Sequence, residues 1–227
     1  MNTLRTFTAI ALLLATPLVA SATPFVITSE LVGDGRAGNP DGLNIDVTIT
    51  GDTDSEFTNW LIDLDMAVSH PLAALHEFYV NLVGLSSDYE ISGFNPASWS
   101  VTSVDGGNAT GSGNWDFMFE IEGPNNTVTN AIPLSFTVKK LTGDFLISDF
   151  LNTPTECSND AALGCGRLGA HVGSLNAGPN QSDSGFALGD YRQSTQIQAV
   201  PEPMSLTLLG SGLVAVAARA RRRRRAE

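Results

Sequence analysis

The chain has 227 residues, with 12 Lys+Arg against 24 Asp+Glu, a formal net charge of −12, 42% hydrophobic residues and only 16% charged ones. That balance belongs to a chain that folds and not to a disordered tail. The charge is unevenly spread: from Thr23 to Val200 five basic residues stand against 22 acidic ones, a surplus of 17 negative charges. An anionic body repels phosphates and gains nothing from counterion release, so nucleic acid is excluded as a partner.

Residues 1–22 begin with Asn2, Thr3 and Arg5, continue through the apolar run from Ala9 to Ala15, and end at Ala20-Ser21-Ala22. A basic start, a short apolar stretch and a small-residue cleavage site make a secretory signal, removed after Ala22. The run is too short, and too soon broken by Pro17, for a first transmembrane helix. The strands follow in the body. Phe25 to Leu31 is expected to open the sheet. Leu43-Asn44-Ile45-Asp46-Val47-Thr48-Ile49-Thr50 alternates apolar and polar residues with period two, the pattern of a half-buried strand. Ile62, Leu64, Met66 and Val68 form a further inward row, with Asp63 and Asp65 outward. Phe78, Val80 and Leu82, then Trp99 and Val101, mark two more strands. Phe117 to Glu122 and Leu134 to Lys139 repeat the alternation. Turn chemistry at Asp41-Gly42, Asp105-Gly106-Gly107-Asn108 and Gly123-Pro124-Asn125-Asn126 punctuates the series. Many short strands with such spacing predict an all-β fold, an antiparallel β-sandwich of immunoglobulin-like, cohesin-like or jelly-roll-like kind, over residues 23–198. From Thr153 to Gln181 the chain is rich in Gly, Asn and Ser, and a long loop with a short helix or strand is expected there.

That loop holds both cysteines, Cys157 and Cys165. In an exported protein the default is a disulfide. It closes a nine-residue loop and is worth about 2.6 kcal/mol on the chain-entropy model. Redox and zinc motifs need a two-residue spacing that this pair lacks.

Asp52, Asp54 and Glu56 occupy positions 1, 3 and 5 of an EF-hand spacing, with Asp63 at position 12. Phe57 stands where the sharp turn needs Gly, and Asp63 replaces the bidentate glutamate, so the EF-hand fails. Solvated turn carboxylates are the preferred reading, with a looser calcium site at Asp52, Asp54 and Glu56 as the alternative and no other cofactor expected. His70, His76 and His171 show no ligand spacing, and no nucleophile motif accompanies them, so no catalytic residue is nominated. Trp60, Trp99 and Trp115, with Tyr79, Tyr89 and Tyr191, are candidates for a sugar-stacking face. Core positions are expected for Trp99 and Trp115, while Trp60 stays unassigned.

The C-terminus reads Val200-Pro201-Glu202-Pro203, then an apolar stretch from Met204 to Ala218, then Arg219 and Arg221, Arg222, Arg223, Arg224 and Arg225. The prolines hold the backbone extended and remove amide donors, which makes a rigid, readable peptide. Fifteen residues of helix span about 22 Å, short of a hydrocarbon core of roughly 30 Å. The arginines act as a topological stop that keeps the C-terminus cytoplasmic. This order of parts over residues 199–227 resembles the PEP-CTERM sorting signal of Gram-negative bacteria. The resemblance implies an exosortase that cuts near Pro201, Glu202 and Pro203, passage through the Sec translocon, a transient membrane anchor, and an association with exopolysaccharide and biofilm matrix. The expected function is therefore that of an exported, non-enzymatic surface or matrix protein, not an enzyme. The alternative is a secreted carbohydrate-binding module or matrix polysaccharide hydrolase with the same sorting signal.

Overall fold

The computed structural model describes residues 23–33, 42–109, 112–122, 127–157, 164–176 and 182–193. The expected signal peptide (1–22), the turn at 123–126 and the sorting segment with its short apolar helix (199–227) lie outside them. The described residues belong to one compact unit, Thr23–Gln198.

Alternation builds the first three strands as a meander: β1 (Pro24–Val32), β2 (Asn44–Asp52) and β3 (Phe57–Leu64). Phe25, Ile27 and Leu31, then Ile45, Val47 and Ile49, then Trp60, Ile62 and Leu64 all turn to one side and are buried. The register from Pro24↔Asp52 to Val32↔Asn44 is unbroken, because a one-residue slip would put every one of these side chains in water. The strands that follow are β4 (Ala74–Val80), β5 (Tyr89–Asn95), β6 (Trp99–Ala109), β7 (Ser112–Ile121) and β8 (Leu134–Lys140). A single helical turn, α1 (Ser148–Leu151), precedes β9 (Glu156–Cys157), β10 (Cys165–Gly166), β11 (Leu168–Gly173), β12 (Gly185–Gly189) and β13 (Arg192–Gln193).

The main sheet runs β5-β8-β3-β2-β1-β12-β11-β4-β7-β6, with β13 also on β1, and β9 and β10 pair separately. The pairings are antiparallel. The two layers of the expected sandwich are halves of this one sheet. It bends where β1 meets β12 at Val32↔Leu188 and β13 at Ile27↔Gln193 and Thr28↔Arg192. Its far ends face each other across the core: the Phe136 ring of β8 lies 4.9 Å from Phe119 of β7, and Phe94 of β5 lies 5.5 Å from Phe119 and 5.4 Å from Phe136. α1 carries Phe150 into the core against Phe25, Trp60 and Tyr191. Each such buried side chain contributes about 1.5–3 kcal/mol relative to exposure. β13 runs antiparallel to β1 and toward its first residues, so the chain enters and leaves the described fold at the same end of the sheet.

Three expectations are corrected. The inward row of β3 stops at Leu64: Met66 is buried in the following turn, but Val68 is fully exposed. Asp105-Gly106-Gly107-Asn108 does not turn the chain. It lies within β6, where the register shifts between Val104 and Gly107 and Asp105 takes a φ of 54°. Residues tolerant of left-handed backbone are used here for a bulge in an edge strand, and the reversal comes between the paired residues Ala109 and Ser112. Finally, Leu168–Gly173 is an inner strand hydrogen-bonded on both sides, to β12 and β4, and not part of a loop.

Candidate functional site

Pro201, Glu202 and Pro203, the apolar stretch from Met204 to Ala218, and Arg219 with Arg221 to Arg225 lie outside the described residues. Gln193 is the last residue described, and seven residues separate it from Pro201. Among the described residues no helix is long and apolar enough to cross a membrane.

Cys157 and Cys165 are directly opposed in the β9–β10 pair and joined at a sulfur–sulfur distance of 2.07 Å. The acidic trio does not assemble. Glu56 pairs with Lys139 at 3.5 Å, and the backbone carbonyl of Asp52 accepts a bond from the Ser55 amide at 3.2 Å. Among the described residues no group of three or more His, Cys, Asp or Glu side chains is arranged to hold a metal ion.

Trp99 and Trp115 are core residues as expected, Trp60 joins them, and the alternative of a sugar-stacking face built from the tryptophans and tyrosines is not realised. Trp60, Trp99, Trp115, Tyr79, Tyr89 and Tyr191 are each at most 6% exposed. Trp60 stacks on Phe136 at 5.4 Å, and its indole N–H donates to the Thr58 hydroxyl at 3.1 Å. The Tyr191 hydroxyl donates to the carbonyl of Asn81 at 2.9 Å, and that of Tyr89 to the carbonyl of Val83 at 2.6 Å. Burial and neighbouring carboxylates push the Tyr89 phenol well above its ordinary range. These rings hold loops to the core.

The structure brings together a polar cluster that the sequence does not announce, because His171 lies nearly a hundred residues from His76, Glu77 and Tyr79. Glu77 of β4 lies opposite His171 of β11 and Glu120 of β7. His171 Nδ1 stands 3.3 Å from Glu77 Oε2, and the Tyr79 hydroxyl donates to the same oxygen. The His171 ring stacks flat on Phe186 at 4.3 Å and meets His76 edge-on at 5.5 Å. The register shift between His171 and Val172 leaves His76 as the extra residue of β4, which is how two consecutive side chains reach one face. Burial pushes the Glu77 carboxyl up, but the adjacent His171 side chain, the bond from Tyr79 and the nearby histidine charges outweigh it and hold the carboxyl below its ordinary value. Burial and the Glu77 carboxylate push the Tyr79 phenol far up. The cluster thus keeps a carboxylate charged on a half-buried sheet face. His70 sits apart, buried in the turn before Pro71, where its Nδ1 accepts a bond from the Asn176 amide at 3.1 Å.

On the outer side of the other layer, a cross-strand row joins Thr50, Asn59, Thr137 and Ser92, and the Thr137 hydroxyl donates to Asn59 Oδ1 at 3.2 Å. The next row along joins Thr28, Thr48, Leu61 and Ser135. Beyond it lies an acidic row of Glu30, Asp46 and Asp63. Burial, then Asp65, Glu30 and Asp63 in that order, raise the Asp46 carboxyl above its ordinary value.

A family model, the PEP-CTERM protein-sorting motif, matches residues 199–224. The match takes in Pro201, Glu202 and Pro203, the apolar stretch and all of the terminal arginines but Arg225. Such a motif implies export, an exosortase as processing partner, and a later place at the surface of, or outside, a Gram-negative cell. No curated protein and no solved structure matches the chain.

Proposed function

We propose that the protein is a non-enzymatic component of the cell surface or extracellular matrix, held in association with exopolysaccharide. The sorting motif at 199–224 carries this reading. Residues 1–22 take the chain to the Sec translocon. Met204 to Ala218 then hold the body at the membrane, with Arg219 and Arg221 to Arg225 as the stop, until the exosortase cuts near Pro201-Glu202-Pro203. A body with a surplus of 17 negative charges stays soluble once released, and a disulfide between Cys157 and Cys165 suits an oxidising compartment.

Fractionation of cells that make the protein with a C-terminal epitope tag tests the reading. The mature surface or secreted form should have lost the tag, and Glu202→Ala should leave it attached while the body folds as before. A mature extracellular form that keeps the tag overturns the processing step.

A further inference from the structure

We infer that the outer face of the β5-β8-β3-β2-β1 layer is a binding surface for an uncharged polysaccharide strand. This rests on the matrix reading above and supplies the class of polymer. β3 is the middle strand of that layer, and it presents Phe57, Asn59 and Leu61 outward in succession, with Phe57 43% and Leu61 39% exposed. Among the described residues Phe57 is the one aromatic residue that is exposed. The row through Asn59 offers Thr50, Thr137 and Ser92, and the row through Leu61 offers Thr48 and Ser135. Strands lie about 4.8 Å apart and successive outward positions about 7 Å apart, so hydroxyl and amide groups stand at regular intervals beside two apolar patches. Hydroxyls and amides both donate and accept. They match sugar hydroxyls, while Phe57 and Leu61 match the C–H faces of the rings.

Charge selects the polymer. Within the five strands of the layer neither of these rows carries an ionisable group, in a body with a surplus of 17 negative charges; Arg192 of β13, opposite Thr28, stands beyond the end of the second row. One border of the face is the Glu30, Asp46 and Asp63 row. At the other border, Lys139 lies 5.4 Å from the Phe57 ring and is neutralised by Glu56. An anionic polymer is repelled by the acidic border, whereas a neutral one approaches without that penalty.

The mature protein recovered from its producing cells is run on native gels containing hydroxyethyl cellulose, galactomannan, dextran or, as the anionic comparison, alginate. Retardation by at least one neutral polymer and not by alginate is expected, with binding weakened at least tenfold by Phe57→Ala and by Asn59→Asp. Near-ultraviolet circular dichroism, which reports the buried Trp60 beneath this face, checks that each variant is folded. Hydroxyl-radical footprinting of the unaltered protein supplies a readout independent of the variants: Phe57 and Leu61 should be protected by the retarding polymer. Absence of retardation by all three neutral polymers, stronger retardation by alginate, or a footprint elsewhere overturns the inference. An exported and processed protein that ignores neutral polymers defeats this inference alone. A chain retained in the cell with its tail uncut defeats the reading beneath it.

Discussion

Glu77 shows how much one side chain depends on its neighbours. Its folded carboxyl is held below the ordinary value of 4.5, so the stability it contributes is present above that pH and is lost as pH falls through the folded value. Glu77→Gln should cost about 1–2 kcal/mol at pH 7, the scale of a charged hydrogen bond removed from a half-buried setting. It should also flatten the loss of stability below pH 4.5. Urea midpoints at pH 7 and pH 4 check both, and equal midpoints for variant and parent at pH 7 would show that the cluster contributes nothing. Asp46 has the opposite sign. Its carboxyl is raised above 3.8 by burial and by Asp65, Glu30 and Asp63, so its favourable term is fully present at low pH and lost as pH rises through the folded value. Asp46→Asn should therefore raise the pH 7 midpoint, by a few tenths of a kcal/mol at such an exposed position. Gly173 is fixed by space: a Cβ there would come 2.2 Å from His76 Cε1. Gly173→Ala should displace the His76 ring and lower stability by about 1–3 kcal/mol, the usual cost of overpacking, which thermal unfolding would register.

The individual strands differ in how plainly their residues declare them. β2 and β8 are half-buried and alternate cleanly, so their apolar residues mark both the strand and its inner face, whereas β3 and β7 also carry Phe57, Leu61 and Met118 on the outer face. β11 does not alternate: Leu168-Gly169-Ala170-His171-Val172-Gly173 reads as a small-residue loop. Its glycines are there because other side chains lie over them, Trp115 over Gly169 and His76 over Gly173, and those neighbours come from distant parts of the chain. The partners of Glu77 were hidden for the same reason, whereas the sorting motif was legible because its three parts are contiguous. The two cysteines were legible as well, since compartment and count suffice. Replacing both Cys157 and Cys165 by Ser should remove about 2.6 kcal/mol. Hydrogen exchange should place the loosening in β9 and β10 and leave β1 to β3 protected, and uniform loss of protection would mean that the hairpin is integral to the main sheet.

At the scale of the molecule, the order of strands was not readable, because short-range alternation says which face is buried and not which strand lies beside which. The fold closes through rings contributed by both layers, Phe94 and Phe136 from one against Phe119 from the other, and beside them Trp60 packs on Phe136, Phe150 and Tyr191. Trp60→Ala should cost about 3–5 kcal/mol and lower the denaturation midpoint of the whole sheet in one transition. A second, separate transition would indicate that the layers unfold independently. The placement of β13 has a mechanical meaning. Among the described residues, the one nearest the C-terminal segment is Gln193, in a strand of two residues whose Arg192 and Gln193 pair with Thr28 and Ile27. That seam is two residue pairs long against the nine that hold β1 to β2, so it can open and lengthen the leash while the register of β1 with β2 stays in place.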